Sequence, residues 1–196
     1  MKQRLMWFVK DSESLYASLG RHLLAAAHEG KTCYVQRLLE AGADPNFCAA
    51  GKWTPLHRAS ARGHAAVVCL LLRCGACPNA TTACGFTPLH MAACSDACGA
   101  CVRQLLGAGA IADMWARTGQ SPLHVAAARG NVPAVRALVA AGASRCARDD
   151  AGRMPCDMAQ SCVLRRMLLP PCLAAACRAA PSCSSDSCHT RSCTCE

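Results

Sequence analysis

Thr54-Pro55-Leu56-His57 returns as Thr87-Pro88-Leu89-His90 and as Ser121-Pro122-Leu123-His124, and a Gly-Ala step follows 21 or 22 residues after the first residue of each copy. Degenerate copies open at Arg21 and Met154, so the starts fall at 21, 54, 87, 121 and 154, with spacings of 33, 33, 34 and 33. A period of that length is one small structural unit that cannot bury its apolar face alone, and stacking of successive units supplies the missing partner. The chain is therefore a repeat array.

The residues of each copy specify two helices. Pro55 suits a first helical turn, where its missing N–H costs nothing and its fixed φ is already helical, and Thr54 before it can accept from the free donors of that turn. Ala59-Ser60, Ala92-Ala93 and Ala126-Ala127 put small side chains where neighbouring helices approach closely. Gly63, Gly99 and Gly130 are expected to end the first helices. The second helix carries an apolar stripe, as in Val67-Val68 with Leu70-Leu71-Leu72, Leu105-Leu106 and Leu138-Val139. Gly42, Gly75, Gly109 and Gly142 then stop it, at turns where φ passes above zero. In the third copy the extra residue falls within Cys94-Ser95-Asp96-Ala97-Cys98-Gly99, where a loop between the two helices absorbs it.

The tetrapeptide, the Ala at its sixth position and the 33-residue period resemble the ankyrin repeat. The resemblance runs from Arg21 to about Leu169. It implies an all-α fold, a solenoid of about five helix-turn-helix repeats, with residues 1–20 as a lead-in, 21–169 as the repeat domain and 170–196 as a tail. The terminal copies read as caps: Leu23-Leu24 replaces the tetrapeptide in the first, and the second helix of the last is shortened to Val163 through Leu169.

Composition fits. A hydrophobic content of 53% with only 4% aromatics suits Ala and Leu packing between helices. The apolar run Leu5 to Val9 is too short for a signal-peptide core, and no stretch approaches membrane-spanning length. The expectation is a soluble, intracellular protein with no membrane partner. Eighteen cysteines would suit a secreted disulfide scaffold, but twelve of them lie between Cys33 and Cys162 at irregular repeat positions. They read as small apolar substitutes in a reducing compartment.

After Pro170-Pro171 the chain carries six cysteines and five serines and little that could form a core, and is expected to be a disordered tail. The spacing of Cys183, Cys188, His189, Cys193 and Cys195 lacks the paired C-x2-C knuckles of a zinc site, so no metal is expected there. Within 171–181, Cys172-Leu173-Ala174-Ala175-Ala176-Cys177-Arg178 resembles the opening of the SOCS box of the ankyrin-repeat and SOCS-box family. Leu173, Cys177 and Arg178 match its elongin-binding helix, while Cys172 and Ala176 replace the expected Ser and Leu. Pro181 stands where that helix would continue, and no Leu-Pro-x-Pro segment for a cullin follows. Such a box is truncated or degenerate. The resemblance implies elongin B/C and a cullin as partners of a ubiquitin-ligase substrate receptor.

No catalytic set emerges. His57, His90 and His124 recur with the period, whereas a catalytic group is needed once, so they are expected to tie adjacent loops together. Cys94, Cys98 and Cys101 lack a fourth ligand, and there is no phosphate loop or nucleophile motif. The expectation is a protein without enzyme activity and without a cofactor.

Function is then expected on the surface. In stacked ankyrin repeats the loop before the tetrapeptide and the exposed face of the first helix line a concave groove. Those positions hold Lys52, Trp53, Arg58 and Arg62 in the second copy and Phe86 and Met91 in the third. The fourth adds Trp115, Arg117, Gln120 and Arg129, and the fifth Arg148 and Arg153. Trp and Arg dominate interface hot spots, which makes Trp53 and Trp115 natural anchors. Residues 21–169 carry 16 basic against 8 acidic side chains, a balance that steers a partner segment of acidic and apolar character. Nucleic acid ranks low, because the arginines are scattered by repeat and not gathered beside base-stacking aromatics.

Overall fold

The computed structural model describes residues 17–95 and 99–170. Among them the fold is all helical: α1 (17–29), α2 (Thr32–Glu40), α3 (Pro55–Arg62), α4 (Ala65–Arg73), α5 (Pro88–Cys94), α6 (Gly99–Gly107), α7 (Pro122–Arg129), α8 (Val132–Ala140), α9 (Pro155–Met158) and α10 (Cys162–Leu168). A short 3-10 turn, Ala50–Lys52, lies in the loop before α3. No helix among the described residues is long and apolar enough to cross a membrane.

The first helices α3, α5 and α7 begin on a reciprocal cap. The Thr54 hydroxyl accepts from the His57 backbone N–H, and the His57 ring accepts at Nδ1 from the Thr54 N–H at 3.3 Å; Thr87 and His90 repeat the pair. Pro stands at the first helical position in each case, where no donor is lost. In the last copy an acid takes over the role of the ring, with Asp157 Oδ2 accepting from the Met154 N–H at 2.8 Å.

The helices stack in two layers. The first helices form one, α3 on α5, α5 on α7 and α7 on α9; the second helices α2, α4, α6 and α8 form the other. The core is correspondingly periodic. Leu23, Leu56, Leu89 and Leu123 are fully buried in the first layer, and Leu71, Leu105 and Leu138 in the second. Ala26-Ala27, Ala92-Ala93 and Ala126-Ala127 are buried where first helices touch.

Two polar ladders run along the array. On one edge, Asn46 Nδ2 donates to Gly75 O and its Oδ1 accepts from Cys77 N–H; Asn79 does the same with Gly109 and Ile111, and Asp113 accepts from Ser144 N–H. On the other, each loop before a first helix closes on itself and then bonds to the next: Ala83 N–H to Gly51 O at 2.8 Å, Arg117 N–H to Cys84 O at 3.1 Å, Asp150 N–H to Thr118 O at 3.4 Å. The recurring histidines join the loops. With Nδ1 occupied as acceptor, the ring proton sits on Nε2, and His57, His90 and His124 donate it to Phe86, Gln120 and Arg153 carbonyls at 3.1, 3.0 and 3.0 Å.

Gly63 and Gly130 end α3 and α7 in the left-handed region, as expected, but Gly99 does not end a helix. It belongs to α6 and is buried there; a Cβ on it would come within 3.0 Å of Pro133. α5 stops without a left-handed residue, on Ser95 in an extended conformation, so the glycine of the third copy is free to serve helix packing instead.

Candidate partner-binding surface

The loops before α3, α5, α7 and α9 are equivalent, and their bonding in series sets like positions in a row. The residue two before each tetrapeptide has positive φ: Gly85 at 78°, Gly119 at 66°, Gly152 at 73°, and Lys52 at 58°. Lys52 is the only non-glycine residue with positive φ among those described. Its Cβ makes that conformation costly, so Lys52→Gly is expected to raise the unfolding free energy by about 0.5–1 kcal/mol in a denaturant titration, the relief of strain exceeding the added freedom of the unfolded chain. Loss of stability would mean that the Lys52 side chain holds the loop.

The next residue of the row is Trp53, Phe86, Gln120 or Arg153. Trp53 is half-buried and meets the His57 ring edge-on, centroids 5.9 Å apart, and Phe86 packs on His90 likewise at 5.5 Å. These two rings seal the buried histidines from water. Burial is the main reason that His57 and His90 are pushed down to about pKa 4, against the opposing pull of the Phe86 and Gln120 carbonyls. Both rings are neutral at physiological pH and serve as structural ties through their Nε2–H.

The arginines divide by what holds them. Arg153 is committed within its own loop: Nε and Nη2 reach Asp149 Oδ2 at 3.0 and 2.8 Å, and Asp149 Oδ1 accepts from the Ala151 and Arg153 backbone N–H groups. Burial raises the pKa of Asp149, but Arg153 and the backbone donors together outweigh it and bring the pKa down. Arg148 Nη1 donates to Gly152 O. The Arg58 guanidinium lies 4.6 Å from the centre of the Trp53 ring, a cation–π contact. Arg62 donates from Nε to His28 Nε2 at 3.0 Å. Arg117 and Arg129 are exposed, and Trp115 is half exposed at 50%. Met91 and Gln120 are half-buried.

The structure thus joins Trp53 to Arg58 and adds His28, absent from the sequence expectation, to Arg62. Arg153 is paired with Asp149 and still half exposed, and Phe86 packs on His90 as Trp53 does on His57. Among the described residues no three metal-ligating side chains come together, and Cys33, Cys48, Cys69, Cys74, Cys77 and Cys84 are free, exposed thiols. Leu173, Cys177 and Arg178, with the elongin-type segment, lie outside the described residues.

Comparison with known proteins agrees with the geometry. A family model described as ankyrin repeats in three copies matches residues 23–113, and a single ankyrin-repeat model matches residues 118–150. No curated protein matches the chain. The chain belongs to the ankyrin-repeat family, whose stacked helix pairs are protein–protein interaction modules.

Proposed function

We propose that the protein is a non-enzymatic interaction scaffold, and that the surface made by its first helices and the loops before them binds a segment of a partner protein with acidic and apolar character. The observation that carries this reading is the composition of those helices and loops: Trp115 exposed, Trp53 stacked under Arg58, and Arg62, Arg117 and Arg129 exposed. Rigid aromatics lose few rotamers on binding and contribute large area, while exposed guanidiniums steer an acidic partner. Free thiols at Cys33, Cys48, Cys69, Cys74 and elsewhere support a reducing, intracellular setting.

Quantitative affinity purification from cells, comparing tagged wild type with groove variants, tests the reading. Trp53→Ala or Trp115→Ala is expected to cost about 2 kcal/mol or more of partner binding, against under about 1 kcal/mol for Arg129→Ala. Arg136→Ala, on the second-helix layer, should leave capture unchanged. Retention of all partners by both tryptophan variants would overturn the groove assignment.

A second reading makes the scaffold a substrate receptor of an elongin and cullin ubiquitin ligase. It is supported by the sequence match at Leu173, Cys177 and Arg178 and by its place after a closing repeat. Capture of elongin B and C by the wild type, lost in Leu173→Ala with substrate binding intact, would favour it over the plain scaffold.

A further inference from the structure

The first two repeats leave positive charge uncompensated in a way the fifth repeat does not. Arg58 and Arg62 are four residues apart on α3 and so project from one face, one turn above the other. Neither has a carboxylate partner among the described residues: the ion pairs there are Lys31–Glu29, at 2.6 Å, and Arg153–Asp149. Glu29 is the acid nearest in sequence to His28, and Lys31 holds it. Where Arg153 is neutralised within its own loop, Arg58 and Arg62 are held only by neutral groups.

Those neutral groups order them. The Arg58 guanidinium lies over the Trp53 ring, 4.6 Å from its centre. His28 Nε2 takes one donor of Arg62, its Nε–H, and His28 is itself anchored through its carbonyl, which accepts from His64 Nε2 at 3.0 Å. The guanidinium of Arg62 has further donors beyond Nε, and among the described residues no ion pair takes them. Two guanidiniums carry more positive charge than one carboxylate can answer, and with the His28 imidazole beside them they suit a compact dianion with several acceptor oxygens.

We infer that Arg58, Arg62 and His28, floored by Trp53, form a receptor for a phosphoryl group carried by the partner segment. The inference rests on the groove reading above and narrows its acidic segment to a phosphorylated one. The environment of His28 supports it: burial first, then the charges of Arg62 and Arg58, with a smaller one from His64, hold its pKa below 6.5 against the opposing pull of Glu29. A dianion on this face relieves that repulsion and raises the His28 pKa.

The test is a nuclear magnetic resonance titration of the full chain at fixed ionic strength. The probes are a short phosphoserine peptide with flanking leucines, its unphosphorylated twin, and a random DNA duplex. The phosphopeptide is expected to bind at least ~10-fold more tightly than its twin, to shift the Trp53 indole and His28 ring signals, and to raise the His28 pKa. Arg58→Ala and Arg62→Ala should each remove most of that preference, while Arg136→Ala keeps it. Equal binding of the two peptides, or of neither, overturns the phosphoryl receptor; if both still shift Trp53 and Trp115, the groove reading survives without it. A preference that persists in Arg58→Ala and Arg62→Ala places the phosphate elsewhere and overturns it too. Tighter binding of the duplex than of the phosphopeptide overturns it in favour of a nucleic acid.

Discussion

Acidification from pH 7 to pH 4 is expected to remove stability from the array before its carboxylates titrate. His57 and His90 are held near pKa 4 in the folded state, mainly by burial, and return to about 6.5 when the chain unfolds. Between those values the unfolded state binds more protons than the folded one, so the unfolding free energy rises with pH. The contribution is present in full above pH 6.5 and is lost as pH falls toward 4, on the order of 3 kcal/mol for each histidine. Urea unfolding at pH 7.5 and at pH 4.5 measures it. A variant in which His90 is replaced by Asn should be less stable at pH 7.5 and show a shallower loss on acidification. An unchanged urea midpoint at pH 4.5 would mean that the rings are already charged in the fold, which their capping geometry forbids.

The second large effect is a cavity in the middle of the stack. Leu89 is fully buried in α5, which packs on both α3 and α7, so the hole left by Leu89→Ala is walled on two sides and cannot collapse. The expected loss is ~2–5 kcal/mol. Leu23→Ala, in the first repeat, should cost less, because an end unit can fray while the rest stays folded. Circular dichroism during thermal unfolding of both variants checks the order. Equal losses would mean that all repeats unfold as one block.

Much of this architecture was legible because the same physical requirement recurs at each period. The Thr-Pro-Leu-His tetrapeptide encodes a cap, a first-turn proline, a buried leucine and a loop tie, and each part can be read from residue chemistry. Gly42, Gly75, Gly109 and Gly142 have positive φ for the reason expected of them. Gly99 misled, since a glycine near a helix end is also what close helix packing selects, and only the position of Pro133 distinguishes the two. The candidate surface was legible in outline and not in its pairings. Trp53 with Arg58 could have been found from their spacing, whereas His28 stands where later copies carry Ala61, Cys94 and Ala128 and breaks the period. Asp149 gave a usable signal four residues before Arg153, the pairing that removes Arg153 from the free cations.

The most direct measurement is a hydroxyl-radical footprint of the full chain with and without a captured partner. Oxidation should slow at Trp53, Met91 and Trp115, on the loops and first helices, and stay unchanged at Tyr34 of α2 and Cys69 of α4. Protection of Tyr34 and Cys69 with Trp53 and Trp115 still reactive would put the partner on the second-helix layer and contradict the groove.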